Sequence, residues 1–265
     1  MSLTPPTAPP PSLEQIFELP CSERVRTMMR LECLSNRLEK LALASEASAH
    51  RAWLASYLEL FDLLSSRSDI KNELLQELER QRIQLERFVG QPGVASERLE
   101  AVLREVMSLF EALGEVQMRL GPHIHEIDFL QSLKGRAGIP AGDCPFDLPV
   151  LALWLTFSPD KRRVHMDQWV APVSPVLRAS KLCLRLLREV ADPQEMTAEN
   201  GLFEMSPGGR QAKLIRVWAP AGRGLVCDMS ANKYVVAVRF RSVNERLQPQ
   251  SFEGSLSFKL AICEF

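Results

Sequence analysis

The sequence predicts an α+β protein with an N-terminal antiparallel helical bundle and a smaller, mostly antiparallel β domain. Two observations support this fold class. From residue 22 to about 133, apolar residues recur at three- and four-residue spacing, which is typical of amphipathic helices. From about residue 200 to 265, short stretches alternate between apolar and polar residues, which is typical of half-buried strands.

Composition is consistent with a folded protein that has a Pro-rich leader. The chain has 265 residues, of which 46% are hydrophobic and 25% are charged, which is ordinary for a globular protein. The first 12 residues hold five prolines and almost no charge, so they cannot bury a core. The predicted parts are a disordered leader (1–12), a helical domain (13–140) and a β-rich domain with one or two inserted helices (141–265).

Four long helices and one shorter helix are predicted in the helical part. Ser22 is the expected N-cap of the first helix, and Ser68 or Asp69 is the expected N-cap of the third. Short loops between long amphipathic helices imply antiparallel neighbours. The predicted helices cover about 22–41, 46–64, 70–88, 96–120 and 126–133.

The second part of the chain is predicted to begin with a strand and two helices. Residues 150–157 form an apolar run bounded by prolines, which we interpret as a buried strand. Residues 160–169 are predicted to form a short helix. Ser174 followed by Pro175 opens another helix to about residue 190, because proline fits the first helical position. The candidate strands that follow are 201–205, 213–218, 224–228, 233–241 and 255–263.

The strand predicted over 233–241 has two different faces. By alternation, one face carries the large apolar side chains of Tyr234, Val236, Val238 and Phe240. The other carries the cations Lys233, Arg239 and Arg241, separated by the small apolar Val235 and Ala237. One interpretation is a solvated strand face, common in half-exposed antiparallel sheets. The functional interpretation is a peptide groove, in which cations bind acidic side chains and the small residues form an apolar floor.

Charge also points to this part of the chain. The net charge of the whole protein is −1, but the segment from residue 202 onward holds nine cations and five carboxylates. Attraction to a polyanion or an acidic peptide would therefore be local.

Catalytic, metal and cofactor motifs are not found. No two of the six cysteines lie within four residues of each other, so no CxxC motif exists. His123 and His125 are two residues apart and do not share a helix face, which argues against a metal site. No Ser/His/Asp pattern and no phosphate-binding loop is present. We therefore expect no catalytic residue, no metal, no cofactor and no enzymatic activity.

The chain also lacks signals for export or membrane insertion. No basic segment followed by an apolar core begins the sequence. No apolar run approaches the ~20 residues needed to span a bilayer. We expect a cytoplasmic protein without a membrane partner.

Six segments carry a resemblance to a known family. They are FELPCSERVRTMMRLE (17–32), IKNELLQELERQ (70–81), VGQPGV (89–94), GIPAGDCPFDLPVLALWL (138–155), NGLFE (200–204) and YVVAVRF (234–240). Together, in this order, they resemble the ZapD family of bacterial cell-division proteins. The resemblance covers nearly the whole chain after about residue 13.

This resemblance implies a function. Proteins of the ZapD family look like cytoplasmic homodimers with a helical domain and a β domain. They bind the tubulin-like division protein FtsZ through its C-terminal tail and bundle FtsZ filaments into the septal Z-ring. The resemblance thus implies a non-enzymatic cell division factor that is recruited to mid-cell by FtsZ.

The resemblance also implies two residues of the FtsZ-tail site. The family's basic surface includes an arginine in the loop before the third helix, which matches Arg67, and the arginine of a V-R-F strand, which matches Arg239. Some members have a further arginine at the position that Val235 occupies here. By alternation, Lys233 lies on the same strand face as Val235. Alternation alone adds Arg241. The predicted tail-binding residues are Arg67, Lys233, Arg239 and Arg241.

The alternative from another class is a nucleic-acid-binding regulator that uses the basic sheet face. Proteins that stack on single strands need aromatic side chains exposed on that face. Because Tyr234 and Phe240 are predicted to point inward, we expect no nucleic-acid partner. An enzyme such as a hydrolase is a third class, but the sequence offers no residue for it.

Overall fold

The computed structural model describes residues 14–67, 69–93, 95–116, 124 and 126–264. By contacts between Cα atoms, the chain divides into a sheet unit, Met1–Arg26 with Arg185–Phe265, and a helical unit, Thr27–Leu184. The predicted leader over 1–12 lies outside the described residues. The predicted domains 13–140 and 141–265 remain predictions.

Helices form most of the helical unit, and the fold confirms the α+β class. Ser22 caps the first helix, because its Oγ accepts a hydrogen bond from the Val25 N–H at 3.3 Å. Asp69 precedes the third helix but makes no capping hydrogen bond, while Ser68 and the predicted end of the fourth helix lie outside the described residues. The helices are α1 (Glu23–Leu43), α2 (Ala47–Ser65), α3 (Ile70–Glu86), α4 (Ser96–Glu115), α5 (Asp128–Arg136), α6 (Pro149–Thr156), α7 (Pro159–Val170) and α8 (Ser174–Glu189).

The strand predicted over residues 150–157 is wrong, because this segment forms helix α6. Pro149 occupies the first helical turn, where its missing N–H costs no hydrogen bond. The burial pattern is helical: Leu151 and Trp154 are buried, whereas Val150 and Leu153 are each 58% exposed. A short apolar run has no periodicity that separates a strand from a helix, and the bounding prolines fit both.

An aromatic cluster forms the centre of the helical unit. The ring of Trp53 stacks on Tyr57 with 5.0 Å between centroids, and Trp154 lies 5.9 Å from Trp169. The Tyr57 hydroxyl donates a hydrogen bond to the Trp169 carbonyl, which gives its polar end a partner inside the core. Such ring pairs stabilise a core by about 0.5–1.5 kcal/mol each beyond the area they bury.

One antiparallel sheet forms the sheet unit. Its strands are β1 (Glu14–Pro20), β2 (Gln194–Glu199), β3 (Leu202–Met205), β4 (Leu214–Pro220), β5 (Leu225–Ala231), β6 (Val236–Val243), β7 (Pro249–Ser251) and β8 (Ser255–Cys263). The order is β1-β4-β8-β2-β3-β6-β5, and β7 pairs with β6. The five strands predicted after residue 200 are confirmed with small shifts of their ends, whereas β2 and β7 were not predicted.

The sheet curls until it nearly closes. Its two terminal strands, β1 and β5, come within 8 Å of each other but do not form a ladder. Phe258 lies in the core, with its ring 5.3 Å from that of Phe203 and 5.1 Å from that of Phe240. The concave side is therefore filled with side chains, and any binding surface must use the outward side or an edge.

A half-buried ion cluster fixes β1 against the rest of the sheet unit. The Glu18 carboxylate on β1 accepts hydrogen bonds from Arg188 at 2.7 and 2.9 Å and from Arg216 on β4 at 2.8 Å. The Glu18 side chain is 15% exposed, so these contacts are weakly screened by solvent. A single carboxylate thereby ties the first strand to the end of α8 and to β4.

Candidate functional site

Strand β6 carries most of the predicted tail site. It pairs with β3 and β7 on one side and with β5 on the other. Val236, Val238 and Phe240 point into the core and are at most 1% exposed, which confirms their predicted orientation. Arg239 and Arg241, which alternate with them, lie on the outward side.

Arg239 is the most accessible cation of this face. Its side chain is exposed, and among the described residues it has no hydrogen bond or ion pair. The strand register places Leu202 of β3 on one side of Arg239 and Asp228 of β5 on the other. Leu202 is 50% exposed. An available guanidinium beside an exposed apolar side chain can bind a peptide that carries an acidic and an apolar residue.

Arg241 is already paired. Its guanidinium forms an ion pair with the Asp228 carboxylate, which reaches from β5 across to β6. Within the described chain, the Nε atom of Arg241 is buried without a hydrogen-bond partner. Arg241 can therefore bind a further anionic group only if its side chain rearranges or if that group and Asp228 share the guanidinium.

The outward face of β6 is less basic than the sequence predicted. Glu204 of β3 and Ser230 of β5 flank Ala237 in the strand register. Glu204 and Asp228 thus offset the charges of Arg239 and Arg241. Neighbouring strands contribute these carboxylates, and pairing partners are not visible in the sequence of β6 alone.

Lys233 does not lie on the strand, and this part of the prediction is wrong. Residues 233–235 belong to the turn between β5 and β6, where the Asn232 side chain accepts hydrogen bonds from the N–H groups of Tyr234 at 2.8 Å and Val235 at 3.0 Å. The Nζ of Lys233 lies 4.7 Å above the Tyr234 ring. Because alternation holds only inside a strand, Val235 does not form an apolar floor beside Ala237.

Tyr234 is also placed differently from its prediction. It is 72% exposed rather than buried in the core. Its ring and the Lys233 ammonium form a small cation–π pair in the turn. The expectation of no nucleic-acid partner relied on both aromatic side chains pointing inward. Phe240 does point inward, but Tyr234 does not.

Arg67 lies in the helical unit, in the connection between α2 and α3. Its guanidinium donates to Thr27 at 2.8 Å, to both carboxylate oxygens of Asp69 at 3.0 and 3.2 Å, and to Glu73 at 3.0 Å. The side chain is only 20% exposed. Arg67 therefore stabilises this connection, and a peptide carboxylate would have to displace its present partners.

Two thiols of the sheet unit are poor nucleophiles, and the described residues form no cluster of metal ligands. Burial raises the pKa of the Cys227 thiol to about 12, with the Asp228 charge adding to it, and burial raises the pKa of Cys263 to about 11. These thiols stay protonated near neutral pH and are weak nucleophiles. In the described part of the chain, no three His, Cys, Asp or Glu residues are grouped as metal ligands. His123 and His125 lie outside the described residues.

Leu202 and Asp228 are the neighbours of Arg239 that sequence reasoning missed. Leu202 lies on β3, 37 residues before Arg239, and Asp228 lies on β5, 11 residues before it. The strand register pairs both of them with Arg239. The NGLFE segment (200–204), which contains Leu202, supported the family resemblance but did not predict a binding site. Their placement beside Arg239 depends on strand register, which the sequence of one strand does not fix.

Comparisons with known proteins decide the family. The profile of ZapD, described as a cell division protein, matches residues 29–239 of this chain. The chain belongs to the ZapD family. The matched range contains Arg67, Lys233 and Arg239, and it ends before Arg241.

Three bacterial relatives of this ZapD-family chain have the name Cell division protein ZapD. The protein of Janthinobacterium sp. (strain Marseille) is 35% identical over 94% of this chain and 99% of its own length. That of Dechloromonas aromatica (strain RCB) is 36% identical over 93% and 98%, and that of Chromobacterium violaceum is 38% identical over 94% and 99%. Membership of the ZapD family supports a role in cell division. Across the described residues, no helix is long and apolar enough to cross a membrane.

Proposed function

We propose that this protein is a non-enzymatic crosslinker that binds the C-terminal tail of FtsZ and bundles FtsZ filaments into the Z-ring. The observation that carries the proposal is the exposed Arg239 beside the exposed Leu202. The tail is a short motif of acidic and apolar residues, and this pair offers one contact for each type. Family membership supports the cell division context of this proposal.

The four predicted residues have different roles in this proposal. Arg239 binds a tail carboxylate directly, because its planar fork can make two parallel hydrogen bonds. Arg241 exchanges part of its bond to Asp228 for a second acidic group. Lys233 lies in the turn before β6, and its ammonium group adds electrostatic attraction to the acidic tail at longer range. Arg67 contributes only if the tail displaces Asp69 or Glu73.

Bundling follows from two sites on one dimer. One tail contact can be weak, but a homodimer presents two grooves and a filament presents a tail on every subunit. Once one groove is occupied, the second meets a high effective concentration of tails, and avidity can exceed single-site affinity by ~10²–10⁴. Filaments are held side by side, and recruitment to mid-cell follows from binding to FtsZ there.

A pelleting assay tests this proposal. FtsZ is polymerised with GTP, the protein is added, and bundles are collected at low speed. We expect co-pelleting with full-length FtsZ, none with FtsZ that lacks its C-terminal tail, and a large loss with Arg239→Glu. Arg246→Glu is the matched control, since Arg246 is an exposed arginine of the turn after β6. Co-pelleting that does not need the tail would contradict the proposal.

A second candidate is a nucleic-acid-binding regulator, which the exposed Tyr234 favours. An aromatic ring beside a lysine can stack on one base, although single-strand binding platforms use several such rings. This candidate predicts a salt-dependent mobility shift of single-stranded RNA that Tyr234→Ala abolishes. The absence of any shift at low salt would remove it.

A further inference from the structure

The helical unit contains an apolar pocket that includes none of the predicted tail-binding residues. Its volume is about 370 Å³, which is within the range of protein ligand sites. An apolar cavity of about 150 Å³ is enough for a benzene ring, so this pocket has room for an aromatic side chain. Its floor is formed by five leucines, each at most 8% exposed: Leu54, Leu58, Leu133, Leu148 and Leu151.

An exposed aromatic side chain lies beside this pocket. Phe146 belongs to the segment between α5 and α6 and is 84% exposed. Leu148, two residues further along the chain, lines the pocket, and two residues span at most about 7 Å. Phe146 is therefore close to the rim but does not fill the pocket of its own chain. A protruding ring and an apolar pocket thus lie side by side.

Further exposed apolar residues surround Phe146. Val150 and Leu153 of α6 are each 58% exposed, and Ile139 on the pocket wall is 51% exposed. Residues three apart share a helix face, so the two α6 side chains extend the apolar surface in one direction. Contiguous exposed apolar residues mark an interaction surface more often than isolated ones do.

The charges around the pocket cancel. A two-fold axis places the same surface of two copies face to face, and a surface with net charge would then repel itself. Here every carboxylate of the pocket lining is paired with a cation, so the surface does not repel a copy of itself. It also has no excess charge with which to attract an acidic peptide. The ion pairs are Arg37–Glu59, Arg51–Asp143, Lys134–Asp62 and Arg136–Asp147.

Hydrogen bonds hold the segment that carries the aromatic residue in a series of tight turns. The Ile139 N–H donates to the Arg136 carbonyl, the Gly142 N–H to the Ile139 carbonyl, and the Leu148 N–H to the Cys144 carbonyl, each at 2.9 Å. A Cβ atom at residue 142 would lie 2.8 Å from the Arg136 carbonyl oxygen, so this close approach requires glycine. A group that is already held in place loses less conformational entropy on binding than a flexible one.

We propose that two copies of this chain associate about a two-fold axis, with the Phe146 side chain of each copy inserted into the pocket of the other. The inference rests on the proposed function, and it assigns a surface to the homodimer that the crosslinking mechanism requires. Each copy supplies one protruding ring and one pocket, so a symmetric pair uses both. An aromatic anchor in a desolvated pocket is the kind of contact that dominates interface energies. Val150 and Leu153 pack around it.

Two variants remove the two halves of this contact. Phe146→Ala removes an exposed ring, and Ala55→Phe places a ring inside the pocket from an exposed alanine of α2. We expect each variant to raise the dimer dissociation constant at least about hundredfold in sedimentation experiments on the full-length protein, because both symmetric contacts are lost together. Circular dichroism checks that each variant is folded.

Matched controls change similar side chains elsewhere. Tyr234→Ala removes a ring that is 72% exposed in the sheet unit. Ala101→Phe adds a ring at an exposed alanine of α4, away from the pocket lining. We expect both controls to keep the dissociation constant of the wild-type dimer.

A mixture of the two variants gives a sharper test. A Phe146→Ala subunit keeps its pocket, and an Ala55→Phe subunit keeps its protruding ring. The mixed pair therefore has one intact contact, whereas each variant alone has none. We expect heterodimers at a concentration at which each variant alone is monomeric. Two folded monomeric variants that do not associate on mixing would overturn the pairing of Phe146 with the pocket.

The possible outcomes separate this inference from the proposed function. A dimeric wild type whose dissociation constant neither variant changes would overturn the inference and leave the crosslinker intact with a different interface. A wild-type protein that is monomeric at every concentration measured would overturn both. A dimeric Ala55→Phe protein that no longer binds an FtsZ tail peptide would identify the pocket as a tail site and overturn the inference.

Discussion

Arg239 and Arg67 were both predicted to bind the tail, but their surroundings differ. Arg67 bonds to Thr27, Asp69 and Glu73 within the helical unit. Arg239 is exposed and has no such bond among the described residues. Hydrogen bonds to a charged group contribute about 1.5–3 kcal/mol when they are well formed. A loss of tail binding in an Arg67 variant would therefore combine weaker recognition of the tail with lower stability of the fold. A loss of tail binding in an Arg239 variant would reflect recognition alone.

We predict that Arg67→Ala lowers the free energy of unfolding by about 1–3 kcal/mol, because Glu73 and Asp69 lose their shared cation. Arg239→Ala should change it by no more than about 0.5 kcal/mol, as is usual for an exposed side chain without partners. Urea unfolding followed by circular dichroism measures both values. Equal stability of the two variants would mean that the Arg67 contacts do not hold the α2–α3 connection.

His50 and Arg162 form a buried polar pair in the helical unit. His50 is fully buried, and its Nε2 lies 2.8 Å from the Ala44 carbonyl. Its Nδ1 accepts a hydrogen bond from the Arg162 Nε at 2.8 Å, which requires a neutral ring with the proton on Nε2. Burial lowers the pKa of His50 below its usual 6.5, the Ala44 hydrogen bond opposes this, and the nearby Arg162 and Arg163 charges lower it further.

The protein should therefore lose stability in mild acid. Because the pKa of His50 is lower in the folded state, the unfolded chain binds more protons between that pKa and 6.5. The contribution is complete above about pH 6.5 and is lost as the pH falls from there toward the folded pKa. Urea unfolding between about pH 7.5 and 5.5 measures this slope. His50→Gln, neutral at every pH, should show a smaller slope, and an unchanged slope would contradict the assignment to His50.

Helix α6 and the turn before β6 show what the sequence could predict at the scale of elements. Long amphipathic helices and alternating strands were predicted because their periodicity is strong. The run at 150–157 was assigned to the wrong element because it is short and uniformly apolar. Lys233 was placed on the strand because alternation cannot show that the Asn232 side chain holds the residues before β6 in a turn. The partners of Arg239 depend on register between strands, which one strand's sequence does not contain.

Strand β1 depends on the Glu18 cluster. Its carboxylate lies between the guanidinium groups of Arg188 and Arg216. Removing that charge leaves two cations close together with little solvent around them, and breaking such a buried pair typically costs about 3–5 kcal/mol. The Glu18 cluster thereby holds β1 in the sheet.

We predict that Glu18→Gln lowers the free energy of unfolding by about 3 kcal/mol. Lys259→Ala is the matched control, because Lys259 makes an exposed ion pair with Glu14 on the same strand, and exposed pairs contribute about 0–1 kcal/mol. Thermal or urea unfolding compares the two. A loss for Glu18→Gln no larger than that for Lys259→Ala would contradict the role of the cluster.

At the scale of the whole molecule, bundling requires two tail sites on one particle. In the proposed homodimer, mixing Arg239→Glu subunits with wild-type subunits would give particles with a single working groove. We expect an excess of this variant to reduce low-speed pelleting of FtsZ by wild-type protein, while tail-peptide binding to each intact groove is unchanged. Undiminished bundling after subunit exchange would show that one groove per particle is enough.

The electrostatic contact between Arg239 and a tail carboxylate is the central claim, and a charge-reversal titration tests it most directly. The affinity of a fluorescent FtsZ tail peptide is measured for wild type, Arg239→Glu and the control Arg246→Glu, each with the natural peptide and with peptides in which one acidic residue is replaced by lysine. We predict that Arg239→Glu loses at least about tenfold in affinity and that one lysine peptide restores its binding, while Arg246→Glu stays close to wild type. Wild-type affinity of Arg239→Glu for the natural peptide would contradict the account.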